Sequence, residues 1–317
     1  MRVGVFLDGL AERPLADALD WLAGAAPEVR DVELGVGGYS PAPHLDLDRL
    51  LADAGARDEL LSALHGRGLA LCALNASGNP LHPDPAVAAA HDRALRGAVQ
   101  LAPLLGVEVV VAMSGCPGAG PDDRTAPHFV GGGWLPDLEG ILEWQWSERV
   151  RPYWEAFAAE AAAAAPEVRI CFELHPGTCV YNVTTFERIA DAGANLAVNL
   201  DPSHFFWQGI DPLAVVDRLG RAIGFAHGKD TVQIPRNRGL DGLLDCRWPG
   251  VADEMPWNFA TVGHGQDAAW WAEFVARLQA AGYDGVISIE WEDPFLAPEP
   301  SIVESAAALR AAIGAPA

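Results

Sequence analysis

The sequence predicts a (β/α)8 barrel of the α/β class, the TIM-barrel fold, and three observations carry that expectation. Eight short β-rich runs alternate with eight helical stretches, many of them rich in alanine. The 317 residues match the usual size of such a barrel. No G-x-G-x-x-G loop follows the first run, where an open nucleotide-binding sheet would usually carry one.

The expected strands are Arg2–Leu7, Arg30–Leu34, Ala70–Leu74, Glu108–Met113, Arg169–Leu174, Leu196–Leu200, Ile223–His227 and Gly285–Glu290. Between them the helical patterns fall at Pro14–Ala23, Leu47–Leu64, Pro85–Leu105, Glu143–Ala165, Thr184–Ala192, Pro212–Leu219, Ala268–Ala280 and Ser301–Ala312. Pro166 ends the fourth of these before the fifth strand. No internal boundary stands out, so residues 1–317 are read as one domain. Two long segments, at about 114–142 and 228–266, leave the C-terminal ends of strands four and seven. TIM-barrel active sites lie at that end, and long loops there usually serve as walls or lids.

Composition narrows the function. Half of the residues are hydrophobic, enough for a large core, yet no apolar run is long enough to span a bilayer. The N-terminal residues lack the pattern of a secretory signal, so a cytoplasmic location is expected. Cys72, Cys116, Cys171, Cys179 and Cys246 are scattered and form no C-x-x-C pair, which argues against a disulfide framework or a structural zinc site. The formal net charge of −22 disfavours phosphate backbones, and no Lys/Arg cluster offsets it. Lys229 is the only lysine in the chain, and it stands two residues from His227.

The ends of the last four strands carry the chemistry. They read Glu173-Leu174-His175, Asp201-Pro202-Ser203-His204, His227-Gly228-Lys229-Asp230 and Glu290-Trp291-Glu292. Residues two apart share a face of a strand, so Glu173 and His175 can point together, as can Glu290 and Glu292. Ionisable groups converging at one rim resist burial unless something compensates them. Three carboxylates and one neutral imidazole suit a single divalent cation, Mn2+ or Mg2+ first, with Co2+ or Zn2+ as alternatives.

These motifs, with Glu-Leu-His-Pro-Gly at 173–177, Asn-Leu-Asp-Pro-Ser-His at 199–204, His-Gly-Lys-Asp at 227–230 and Ser-Ile-Glu-Trp-Glu-Asp at 288–293, resemble the sugar phosphate isomerase/epimerase family of xylose isomerase-like TIM barrels. That family also includes inosose dehydratases and, more distantly, endonuclease IV. The resemblance implies a metal held by Glu173, Asp201, His227 and Glu290. It also matches His204 to a histidine that touches substrate in the sugar enzymes and holds an extra metal in the endonuclease. Where ketose 3-epimerases carry a further Glu and an Arg, Cys179 and Gln233 stand here, with Tyr181, Asn182 and Arg236 close by.

The resemblance implies a metal-dependent isomerase or epimerase of a sugar or polyol derivative, acting through an enediolate. Glu173 and Glu290 would exchange the proton, while His175, His204 and Lys229 would orient or protonate substrate oxygens. A dehydratase or keto-glycoside lyase would use the same enolate. A non-catalytic sugar-binding or partner subunit, or an endonuclease IV-like hydrolase, stands further off. The expected partner is a small sugar-like molecule, with neither nucleic acid nor membrane, and a homo-oligomer is left open.

Several residues keep two readings. His175 is a general acid or base, or a group that steadies Glu173. Lys229 stabilises substrate charge, or pairs with Asp230 or Glu292. Asn75, Asn79, His82 and Glu33 line the pocket, or cap neighbouring helices and turns. Trp134, Trp207, Trp248, Trp257 and Trp291 supply flat faces to a ligand, or pack a lid. Gly263-His264-Gly265 precedes a helix and could bind an anion.

Overall fold

The computed structural model describes residues 1–131, 135–245 and 252–314. Eight parallel strands close a barrel: β1 (Arg2–Phe6), β2 (Val29–Gly35), β3 (Ala70–Asn75), β4 (Val109–Ala112), β5 (Arg169–Glu173), β6 (Leu196–Leu200), β7 (Ile223–Gly228) and β10 (Val286–Ile289). An antiparallel pair, β8 (Asp230–Gln233) and β9 (Trp257–Ala260), stands outside it. The barrel strands are buried on both faces and read as near-continuous apolar runs, as parallel strands under helices must. Asp31 apart, their buried polar residues lie toward the C-terminal ends: Glu33, Asn75, Glu173, Asn199, His227 and Ser288.

Backbone contacts group the chain into two compact units. The first comprises Met1–Glu33, Ser62–Ala70 and Leu200–Ala317. In it β1 pairs with β10 through Val3–Ile287 and Gly4–Ser288, and β10 with β7 through Ser288–His227. Leu19, Leu22, Phe225, Trp271, Phe274 and Leu309 fill its core. The second comprises Leu34–Leu61 and Leu71–Asn199. There β4 pairs with β5 through Val111–Cys171, and Trp154 packs edge-on against Phe172 at 4.4 Å. Aspartates start several of the helices in both units. Asp84 and Asp211 accept the N–H of Ala86 and Leu213, each just ahead of a proline whose missing N–H costs nothing there.

Four expectations change in detail. The helix expected at Thr184–Ala192 is a short helix, Val183–Glu187, followed by a 3-10 turn, Ala190–Ala192. The helix expected at Leu47–Leu64 is two helices, Leu47–Ala52 and Ala54–His65, because Asp53 is extended and accepts the Gly55 N–H. The helix expected from Glu143 begins earlier, at Pro136, and passes through a π-helical turn, Gln145–Val150, before Arg151–Ala164. Pro152 cannot donate into a regular helix, and the wider turn ahead of it accommodates that gap. The segment at 228–266 is not all loop: it holds β8, the helix Pro235–Asp241 and β9.

Candidate metal centre

The site is built from strand ends. Glu173 closes β5 and is 2% exposed. Asp201 follows β6 directly, and its Oδ1 accepts the Ser203 N–H at 2.9 Å. His227 lies within β7, and Glu290 follows β10. One ligand atom from each of Glu173, Asp201, His227 and Glu290 lies within 4.8 Å of the others, an arrangement that could hold a divalent metal ion.

The surroundings fit that use. His227 Nε2 lies 3.1 Å from Glu33 Oε2, and the same carboxylate oxygen accepts the Ser288 hydroxyl at 2.7 Å. The ring is therefore fixed by its outer nitrogen, while Nδ1 faces Glu290 Oε2 at 3.4 Å. A carboxylate behind an imidazole in this way sets the tautomer and raises the basicity of the inner nitrogen. Burial alone would strip His227 of its proton, but Glu33 and Glu290 outweigh burial and hold it well above the ordinary imidazole value.

Lys229 is 1% exposed and sits among carboxylates. Its Nζ lies 2.5 Å from Glu290 Oε2, 2.8 Å from Glu292 Oε2 and 3.1 Å from Asp201 Oδ2. Burial would raise Glu290, yet Lys229 and His227 keep it well below the usual carboxylate range. Burial also pushes Glu292 up, only partly countered by Lys229. The lone lysine thus pairs with Glu292, as one sequence reading held, and with Asp201 and Glu290 besides.

Asp230 is committed elsewhere. Its Oδ2 accepts the N–H groups of Gly263, Gly265 and Gln266 and the indole N–H of Trp271, at 2.9 to 3.2 Å. The Gly263-His264-Gly265 segment, which could bind an anion by its sequence, gives its N–H groups to this internal carboxylate. Gly265 is required there, since a Cβ would lie 2.2 Å from the Thr231 carbonyl oxygen.

His204 is fully buried, with Nε2 3.3 Å from Asp201 Oδ2. Burial lowers its pKa to about 4, so it is neutral at physiological pH. An aromatic series continues from it: His204 meets Phe259 edge-on at 5.2 Å, Phe259 meets Trp257, and Trp257 stacks on Trp207 at 4.7 Å with planes 3° apart. Lys229 Nζ lies 4.6 Å from the Phe259 ring centroid. The Trp257 indole donates to Leu243 O, whereas the Trp207 indole N–H is buried with no acceptor among the described residues.

The other sequence candidates take quieter places. His175 is half-buried, with Nδ1 against the Pro176 carbonyl oxygen. Asn75 Oδ1 accepts the Ser77 N–H, and His82 Nδ1 accepts the Asp84 N–H, so both fill the turn-capping role. His82 also lines a cavity of about 180 Å³ with Arg124 and Arg149. Arg236 is exposed on the helix Pro235–Asp241. Trp291 donates its indole N–H to Leu296 O. Trp134, Trp248 and Cys246 lie outside the described residues.

Sequence reading underused Glu33 and missed Phe259. A carboxylate inside the apolar run Val32-Glu33-Leu34 was the available signal for the first, and the two-residue spacing of Trp257 and Phe259 for the second.

The model of the xylose isomerase-like TIM barrel family matches residues 31–312, and the chain belongs to that family. It is 39% identical over 317 residues to the uncharacterized protein YfiH of Bacillus subtilis, covering 99% of both chains. Among solved structures it resembles the IOLI protein with a binding zinc atom, at TM-score 0.64 and 18% identity over 99% of this chain and 98% of that one. It also resembles the 3-keto-D-glucoside 4-epimerase YcjR of E. coli, at TM-score 0.62 and 12% identity over 98% and 99%.

Proposed function

We propose that this chain is a divalent-metal-dependent isomerase or epimerase of a sugar or polyol derivative, working through an enediolate of its substrate. The convergence of Glu173, Asp201, His227 and Glu290 within 4.8 Å carries the reading. A divalent ion bound there would supply Lewis-acid polarisation of a substrate carbonyl and the adjacent hydroxyl. Mn2+ suits the three-carboxylate, one-imidazole set best, with Mg2+, Co2+ and Zn2+ as the alternatives.

The chain's own groups do the rest. Of Glu173 and Glu290, one takes the proton from the substrate carbon and the other delivers a proton to the opposite face of that carbon in an epimerase, or to the neighbouring carbon in an isomerase. The Lys229 ammonium stands where negative charge would develop on a substrate oxygen, and its fixed position among Asp201, Glu290 and Glu292 spares reorganisation. His204, neutral and buried, orients a substrate oxygen rather than carrying charge. The Trp207–Trp257 stack offers an apolar face for a sugar ring. His175, two residues past β5, has Nδ1 against the Pro176 carbonyl oxygen, and from there it would serve as a general acid or base or steady Glu173. A net charge of −22 weighs against a nucleic-acid substrate.

The test is proton exchange. The metal-loaded chain is incubated in D2O with a panel of ketoses and 3-keto-glycosides and followed by NMR. The expected result is deuterium at the carbon beside the carbonyl of at least one substrate, abolished by a chelator and by Glu173→Gln. Loss of a leaving group alongside exchange would mark a lyase or dehydratase instead. A metal-loaded chain that exchanges no substrate proton contradicts the proposal.

A further inference from the structure

In the second unit, the segments after β3 and β4 and the π-helical turn Gln145–Val150 border an open cavity of about 180 Å³. Two arginines, Arg124 and Arg149, line it. Both are exposed, and neither has an ion-pair or hydrogen-bond partner among the described residues. Other arginines of this unit are spent on acids: Arg93 on Asp48, Arg96 on Asp92 and Arg188 on Glu143. In a chain of net charge −22, two uncommitted guanidiniums at one cavity make a local site for an anion.

The walls are held in place. Asn79 clamps the two segments together: its Nδ2 donates to Cys116 O at 2.8 Å, and its Oδ1 accepts the Cys116 and Leu81 N–H groups at 3.0 Å. The buried Gln145 amide donates to the carbonyl oxygens of Pro117, Gly118 and His128. One end of the π-helical turn thus fixes the loop that carries Arg124, and Arg149 stands on the same turn. Such turns recur at functional sites. The remaining polar side chains of the lining are His82, Trp144 and Asp123. His82 Nδ1 accepts the Asp84 N–H at 3.0 Å, which leaves the ring proton on Nε2 as a donor. Trp144 is half-buried and gives a flat apolar face. Asp123 is the one acid of the lining. The Ala119 N–H and the Thr125 N–H and hydroxyl bind its oxygens and hold its carboxyl at about 2. Its charge works against an anion, but two guanidiniums outnumber it and its oxygens are taken up by its own loop. Prolines, glycines, Leu81 and Ala88 complete the lining and bring no charge.

A carboxylate is satisfied by one guanidinium, whose fork takes both of its oxygens. Two guanidiniums and a ring N–H match instead a group of three oxygens carrying close to two charges, which is a phosphoryl group. A cavity of about 150 Å³ already holds benzene, so one of about 180 Å³ admits that smaller group. We propose that this cavity binds the phosphoryl group of inorganic phosphate or of a small phosphate monoester through Arg124, Arg149 and His82. The proposal does not depend on the metal reading, since no metal ligand lines the cavity.

Isothermal calorimetry on the full-length chain tests it with inorganic phosphate, glycerol 1-phosphate and acetate. The ionic strength is set at about 0.1 M, where charges more than about 10 Å apart are screened. Phosphate and glycerol 1-phosphate are expected to bind, and acetate at least about tenfold more weakly, the worth of one charge-assisted hydrogen bond. Arg124→Gln and Arg149→Gln should each weaken phosphate by about the same factor, and the double variant should abolish its binding. Arg30→Gln, which removes the same charge from an exposed position outside the cavity, should leave binding unchanged. All three positions are exposed, so the variants should keep the native fold, which circular dichroism checks. Tighter binding of glycerol 1-phosphate assigns the cavity to a monoester, and equal or tighter binding of inorganic phosphate to the free ion; either supports the site. No phosphate binding at tens of millimolar, acetate as tight as phosphate, undiminished binding in the double variant, or the same loss in Arg30→Gln overturns it.

Discussion

Glu33 contributes no ligand atom to the proposed metal centre, yet it holds the imidazole that does. Its carboxylate takes His227 Nε2 and the Ser288 hydroxyl in a site with no exposed surface. Glu33→Gln keeps the shape and removes the charge behind the ring. Outer partners of this kind are worth about 10–100-fold in metal affinity. Competition against a chelator should show Mn2+ affinity falling by that factor while the stoichiometry stays at one; unchanged affinity would make Glu33 only a packing residue. Lys229 poses the opposite test. Removing one member of a buried charge cluster leaves the others uncompensated, at a cost of about 3–5 kcal/mol. Lys229→Met should lose stability of that order in metal-free urea unfolding and regain part of it when Mn2+ is added, because the ion neutralises the same carboxylates. Equal stability of variant and native chain without metal would refute this. His204→Asn should retain one metal ion and lower turnover by about 10²-fold or more, as loss of one transition-state hydrogen bond does. A second ion carried by the native protein and lost in the variant would point to two-metal chemistry.

At the scale of elements, the hairpin β8–β9 and the turn into the helix Ala268–Ala280 are tied together by one carboxylate. Asp230 accepts N–H groups from Gly263, Gly265 and Gln266, the indole of Trp271 and the N–H of Thr231. Asp230→Ala strands these donors, and even one unmet buried group costs about 1–3 kcal/mol. The variant should unfold at clearly lower urea than the native chain; a shift within error would mean that water replaces the carboxylate. What was legible in the sequence follows from the range of the interactions. The barrel strands announce themselves by local apolar runs, and the helix starts at Pro85 and Pro212 by their aspartate caps. The acids at the ends of the last strands were visible for the same local reason. The β8–β9 pair was not, because its two short strands, Asp230–Gln233 and Trp257–Ala260, are far apart in the chain. Nor was the Glu33–His227 contact, between residues 194 apart in the chain. The π-helical turn escaped because its sequence reads as ordinary helix.

At the scale of the whole molecule, a net charge of −22 means that the fold works against its own repulsion. No helix among the described residues is long and apolar enough to cross a membrane. Two cation effects should therefore be separable. Monovalent salt screens the surface broadly, while a ligated ion acts through one site. At fixed ionic strength, Mn2+ at a free concentration 100 times its Kd should stabilise the chain by about 2.7 kcal/mol, and the gain should vanish in His227→Ala. A gain that persists in the variant would be a surface effect.

The central claim is that Glu173, Asp201, His227 and Glu290 bind one divalent ion. Crystals of the chain grown with Mn2+ and measured at the manganese absorption edge test it most directly. The account predicts one dominant anomalous peak within about 2.0–2.6 Å of a ligand atom from each of the four residues, the range of metal–oxygen and metal–nitrogen bonds in such sites. A manganese peak held by other residues, or no peak at these four under saturating Mn2+, would contradict it.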